Sequence, residues 1–441
     1  MKIANWGNYP IVEGDVTSLE FEDEIMNYAT QQDAFTIRGN GRSYGDSSLD
    51  AHIFSTLKFN KILSFDTEKG IISCQSGVLL SEILALIVPK GFFLPVTPGT
   101  KLITVGGAIG ADVHGKNHHK DGCFSAHLID FELLNANNEI IRCSKTENTD
   151  LFWLTCGSMG LTGIILNVTF GLKKIVTAYI RQESIKASNL DEIMDLFEHS
   201  QNWTYTMAWL DCLQKGKSLG RSVMMRGEHA EIEEISEQKK AKPLVLDVKP
   251  KLSIPFYFPN FALNTFSVKA FNFLYYNKQF AGQSNQIIPY EPFFYPLDAI
   301  YHWNRMYGKN GFTQYQFVLP KESSKEGLEL ILRRISQSGQ GSFLVVLKLF
   351  GKANLLSPLS FPIEGYTLAL DFKIQKGIFE LLDELDKIVL DLGGRLYLAK
   401  DARMKAEFFR HTYQLDKQGI GKYFPKQKFD SLQVKRLLRA Y

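Results

Sequence analysis

Apolar and polar positions change rhythm along this chain near residue 180. Before that point, short alternating runs are separated by glycine-rich turns. "GIISCQSG" predicts a strand, and "VLLSEILALIVPKG" a helix that stops at Pro89 and Gly91. "AHLIDFELLNANNEIIRC" predicts two strands joined by a turn over Asn135 to Asn138. After about Ile180 the strands lengthen and the helices become amphipathic. "LDEIMDLFEHS" is one such helix, and "YTMAWLDCL" and "FTQYQFVLP" are strands. Near the end, "GIFELLDELDKIVLDLGG" puts Ile378, Leu381, Leu382, Leu385, Val389 and Leu392 on one helical face, closed by Gly393 and Gly394. No internal repeat or low-complexity tract interrupts the pattern.

Composition narrows the classes. With 441 residues, 45% of them hydrophobic and 22% charged, the chain can bury more than one core. A net charge of +3 is too mild to argue for a nucleic-acid partner. The first residues carry no apolar leader segment, and no run of 18 apolar residues could span a bilayer. Five scattered cysteines without a C-x-x-C pair suit reduced thiols in a cytoplasmic setting.

The candidate chemistry starts with glycine. "RGNGRSYGDSS" sets Gly39, Gly41 and Gly45 after an apolar run. The third glycine comes one residue late for a Rossmann fingerprint, and no helical period follows it. Two readings stay open on this run alone: an anion nest of backbone N–H groups, or a polar hairpin turn. A second run, Val96 to His119, packs five glycines (Gly99, Gly106, Gly107, Gly110, Gly115) around a single charged residue before Asp112. A third, "DLFWLTCGSMGLTGIILNVTF", leads into a strand. Glycine at this density lets backbone approach a large flat ligand closely. His114, His118 and His119 are not read as metal ligands. Gly115 and the glycines before it argue against a shared helix face, and no further ligand completes a set.

These loops, in this order, resemble the FAD-linked oxidases of the vanillyl-alcohol oxidase type. The resemblance is narrower still to the group that oxidises decaprenylphosphoryl-β-D-ribose at its 2' position. It rests on "RGNGRSYGD", "GADVHGKNHH", "DLFWLTCGSMGLTGII", "WNRMYGKNGFTQYQFV", "KLFG", "PLSFPIEGYTLALDF" and "GRLYLAKDAR", and covers nearly the whole chain. It implies an α+β fold. A two-part FAD-binding domain (1–178 and 395–441) would flank a substrate domain (179–394) with an antiparallel sheet and flanking helices.

For the flavin, the resemblance implies Arg38, Gly39, Asn40, Gly41, Arg42, Ser43, Tyr44, Gly45 and Asp46 in the first loop. Gly99, Thr104, Val105, Gly106, Gly107, Ala111, Asp112, Val113 and His114 follow in the second, with Ile165 and Tyr397 beyond. Many relatives bond FAD covalently through a histidine at the place of Arg42. Arginine cannot form that bond, so FAD is expected to be non-covalent, with Arg42 on phosphate. Lys116, Asn304, Gln314, Gln316, Lys348, Thr367 and Lys400 are expected to face the substrate. Lys400 should offset the negative charge arriving on the flavin, with Tyr397 beside it on one short strand. Tyr44, Tyr397, His114 and Lys400 all qualify as the general base. Ala369 stands where actinobacterial members carry a cysteine, which leaves that wall without a thiol.

The expected activity is oxidation of a polyprenyl-phosphate pentose to its 2'-keto form, the first half of an epimerisation that a separate NAD(P)H-dependent keto-reductase completes. A flavin oxidase of a soluble sugar, alditol or aldonolactone is the alternative, and a non-enzymatic flavoprotein a third reading. Between Leu252 and Phe280, ten of 29 residues are Phe or Tyr, against 12% aromatics in the whole chain. Pro255 and Pro259 exclude a spanning helix, and the helical period is sparse. With Lys239, Lys240, Lys242, Lys249 and Lys251 upstream, the segment reads either as core or as a peripheral contact with the inner membrane face.

Overall fold

The computed structural model describes residues 1–246, 252–414 and 428–438. Lys249 and Lys251 lie outside them. The first 171 residues build an N-terminal antiparallel strand pair, Lys2–Ala4 with Ile11–Glu13, and two larger sheets. Strands β1 (Asp15–Ser18), β2 (Thr36–Arg38) and β3 (His52–Ser55) pair in parallel in the order β1-β3-β2. Strands β4 (Ile62–Asp66), β5 (Ile71–Gln75), β6 (Leu128–Leu134), β7 (Ile140–Ser144) and β8 (Ile164–Gly171) form an antiparallel sheet ordered β7-β6-β8-β5-β4. Helix α1 (Glu22–Gln31) connects β1 to β2. Helix α2 (Leu80–Ile87) runs into a 3₁₀ turn and ends at Gly91, whose φ of +82° closes it. The first glycine run links β2 to β3 and opens no α-helix, as its missing apolar period requires. The second run does contain one: α3 (Val105–Gly110), capped by the Thr104 hydroxyl on Gly107 N–H.

From Tyr179 the chain builds one eight-stranded sheet. Its strands are β9 (Tyr179–Ala187), β10 (Tyr205–Leu210), β11 (Ser222–His229), β12 (Gln283–Pro289), β13 (Phe312–Pro320), β14 (Val345–Phe350), β15 (Gly365–Lys373) and β16 (Arg395–Leu396). They lie in the order β12-β9-β11-β10-β14-β15-β13-β16, with every neighbour antiparallel. The fold is α+β. Strand alternation gives this sheet two unlike faces. On one, Ala208, Leu210, Met224, Phe317, Leu347 and Leu368 pack with helices α4 (Leu190–Glu198), α6 (Lys321–Ser338) and α7 (Ile378–Asp391). The other lines a cavity.

Helix α5 (Thr265–Lys278) separates α4 from α6 and corrects the reading of its segment as weakly helical. Asn264 caps it, accepting from Phe266 and Ser267 N–H. It buries only Val268 and Asn272, so no apolar period was there to be read. Phe256, Phe261, Phe266, Phe273 and Phe280 are 58–96% exposed, which removes the core reading for these rings. Among the described residues, no helix is long and apolar enough to cross a membrane. All five cysteines are buried and unpaired.

After β16 the chain stitches back onto its start. Tyr44 N–H donates to Ala399 O at 3.0 Å, Phe35 N–H to Lys428 O at 2.9 Å, and Leu432 N–H to Leu49 O at 2.9 Å. Helix α8 (Leu432–Leu438) carries Arg436, whose guanidinium holds both Asp46 and Asp401 at 2.8 Å. Beneath this clamp Gly45 touches the returning backbone so closely that a Cβ would stand 1.7 Å from Asp401 O. Gly45→Ala is therefore expected to cost about 1–3 kcal/mol through overpacking against rigid backbone. A Cβ at Gly99 meets nothing within 4 Å, so Gly99→Ala should leave unfolding unchanged. Thermal melts of the two variants beside the parent check the contrast.

Candidate active site

The cavity holds about 580 Å³ and lies between the glycine loops and the open face of the large sheet. One wall is backbone. Gly39, Asn40, Gly41, Arg42, Ser43 and Tyr44 come from the first loop. Gly99, Thr104, Gly106, Gly107, Ala111, Val113 and His114 come from the second, and Ile165 from β8. The two loops interlock: a Cβ on Gly39 would strike Thr104 Oγ1 at 2.3 Å. The turn after β16 supplies Tyr397, Ala399 and Lys400.

Other expected residues lie outside that wall. The Arg38 guanidinium braces the N-terminal strand, bonding Asn5 Oδ1 and the Ala4 carbonyl. Gly45 and Asp46 belong to the Arg436 clamp, and Val105 is buried in α3. Asp112 is buried on Ser360 Oγ at 2.5 Å and Ser125 N–H at 3.2 Å. Asn304 donates to Trp6 O at 3.2 Å, and Thr367 donates to Phe317 O at 2.7 Å while accepting from Gln316 at 3.3 Å. Their short polar side chains are spent on neighbouring backbone and side chains, which sequence spacing does not reveal. Tyr397 and Lys400 are also not on a strand: β16 ends at Leu396 and a 3₁₀ turn carries them.

The other wall is the sheet. Gln316, Ala369, Val346 and Trp209 are successive cross-strand partners along one row. Met207 and Met225 face each other on the adjoining row. Gln314, Gln316 and Lys348 make one end polar, and Met207, Trp209 and Met225 make the other apolar. Met207, Trp209 and Met225 were not singled out from sequence, because only the register between distant strands puts them beside the glutamines.

Three lysines border the cavity. Burial pushes Lys348 down to about 8 and Lys116 down to about 7, the latter helped by Lys348. Lys400 sits 3.9 Å above the Tyr44 ring, and burial lowers it too, against the pull of Asp371. Asp371, also missed from sequence, is raised by burial and held by Gln314 at 2.5 Å and Tyr307 at 3.3 Å. His114 is kept neutral, chiefly by burial, with Nε2 3.1 Å from the Gln316 amide. The Tyr397 hydroxyl donates to Ala111 O at 2.9 Å. Arg42 stacks on Trp6 at 4.2 Å.

Residues 17–144 match the model of an FAD binding domain. An L-gulonolactone oxidase of Bos taurus is 29% identical over 201 residues, 44% of this chain and 45% of the relative. A human delta(24)-sterol reductase is 31% identical over 140 residues, 31% of this chain and 27% of the relative. The decaprenylphosphoryl-beta-D-ribose oxidase of Mycolicibacterium smegmatis is 38% identical over 422 residues, 93% of this chain and 91% of the relative. The chain belongs to the FAD-linked oxidases of the vanillyl-alcohol oxidase type.

As an FAD-linked oxidase it acts on alcohol groups, and the residues present fit the flavin. Space for a Cβ beside Gly99 marks open room along the backbone wall. The hydroxyls of Ser47 and Ser76 and the Nδ1 of His114 are buried at the cavity without a partner among the described residues. Those groups, with the loop N–H donors, would hold the cofactor.

Proposed function

We propose that this oxidase converts the 2'-hydroxyl of a polyprenyl-phosphate pentose, of the decaprenylphosphoryl-β-D-ribose kind, to the 2'-ketone with non-covalent FAD. The cavity's charge carries the reading. Lys116, Lys348 and Lys400 face it, against one lining carboxylate, Asp298, already engaged by Thr100 and Lys101 N–H. A free sugar offers Lys116 and Lys348 no anion, whereas a phosphodiester does and would restore their depressed charge. Similarity over nearly the whole length to the Mycolicibacterium oxidase supports the same substrate class.

When bound, FAD supplies the hydride acceptor. Around it, Gln314 and Gln316 orient the sugar hydroxyls. Among the four candidate bases, Tyr397 is committed to a carbonyl and His114 to Gln316. Burial raises the Tyr44 phenol well above its ordinary range. Lys400 moves the useful way, toward an amine that accepts the hydroxyl proton and then holds it as a cation. The ketone product calls for a separate NAD(P)H-dependent reductase. The exposed rings of residues 256–280 fit contact with the inner membrane face that stores the lipid.

Four measurements test this reading. Arg42 in the histidine's place means that acid precipitation should release intact FAD to the supernatant; flavin retained in the pellet would show a covalent bond. Lys400→Ala should slow substrate-driven flavin bleaching by about 10²–10³-fold in flavin-loaded protein. In the parent that rate should rise with pH through the lowered lysine value, since the acceptor must be unprotonated. Finally, anaerobic bleaching by a prenylphosphoryl ribose should outpace bleaching by free ribose, alditols and aldonolactones. Preference for a lactone would favour the activity named for the gulonolactone relative.

A further inference from the structure

We propose that the apolar end of the cavity is a built channel for the first isoprene units of the substrate's tail. Met207, Trp209, Met225 and Val346 form its floor, and Phe271 and Tyr275 of α5 its roof. The inference rests on the reading of the substrate as a prenyl phosphate and adds where its hydrocarbon leaves the flavin.

The floor is continuous with the site. Trp209 and Val346 occupy the same cross-strand row as Ala369 and Gln316, so the row leads from the amide end of the cavity onto apolar side chains. Lys348 follows two residues after Val346 on β14, and Lys116 O is held by Thr206 N–H at 2.9 Å beside β10. The two cations thus stand where polar floor gives way to apolar, the place of a phosphate between sugar and tail.

The roof is fixed. Tyr275 packs on Trp209 with ring centroids 4.6 Å apart, so roof and floor meet there and the tail passes beside that contact, over Met207 and Met225; Phe271 stacks on Tyr275 at 5.8 Å. Between them Asn272, fully buried, donates to Asp211 at 2.7 Å and pins α5 to the end of β10. The Trp209 indole is held by Phe343 O at 3.0 Å. Methionines suit a flexible branched chain because their side chains adapt to irregular apolar shapes. The outward residues Phe266, Phe273 and Leu274 continue the apolar surface from the roof to the exterior, toward the bilayer that holds the remaining tail.

The test uses flavin-loaded enzyme. For farnesylphosphoryl ribose relative to 3-methylbutylphosphoryl ribose, the ratio of kcat/KM should fall about tenfold or more in Met207→Gln/Met225→Gln. An unchanged ratio in the folded variant overturns the channel. Should that variant fail to fold, the parent alone decides: dimethylallyl, geranyl and farnesyl phosphate should inhibit with constants that tighten about tenfold or more from five to ten carbons. A flat series overturns the proposal. If no prenylphosphoryl pentose is oxidised while the inhibitor series still tightens, the substrate reading fails and the channel stands.

Discussion

One guanidinium holds the two halves of the site together. Arg436, almost at the end of the described chain, bonds Asp46 in the first glycine loop and Asp401 beside Lys400. Burial alone would weaken its charge, but the two carboxylates outweigh that and raise its affinity for the proton. Breaking one arm would strand a buried carboxylate, which is why such shared pairs resist loosening. The consequence runs through the geometry. Tyr44 and Lys400, separated by most of the sequence, meet at 3.9 Å where Tyr44 N–H bonds Ala399 O and Gly45 packs against the returning backbone at Asp401.

The site's electrostatics follow from the same enclosure. Lysines placed at a cavity lose water before they gain a ligand, so their charge is provisional. Lys116 has the Phe294 carbonyl at 3.4 Å and two aromatic faces beside it, but neither it nor Lys348 has a carboxylate against it among the described residues, so an anionic guest would add the charge they lack.

Local features were legible in the sequence. The turn at Gly91, the α7 face and the glycine loops each declare themselves within a dozen residues, since capping, periodicity and backbone freedom act over that range. Cross-strand register does not. Trp209 and Gln316 look unrelated until β14 and β15 bring them into one row. Residue type does not show which polar groups are engaged by neighbours, as Arg38, Asp112 and Asn304 are. Helix α5 hid for the opposite reason: both its faces are apolar, one toward Trp209 and one outward.

The large sheet carries its core and its ligand surface on the same strands, one residue apart. Met207 and Trp209 look into the cavity, while Ala208 and Leu210 between them are sealed under the helices. Val346 and Lys348 alternate with Leu347 and Leu349 in the same way. Natural variation can therefore rewrite every second letter of β10 and β14 without disturbing the packing that keeps the strands in place. A scaffold of this kind can drift from one ligand to another by point changes, at Ala369 in the middle of the row as much as at its ends.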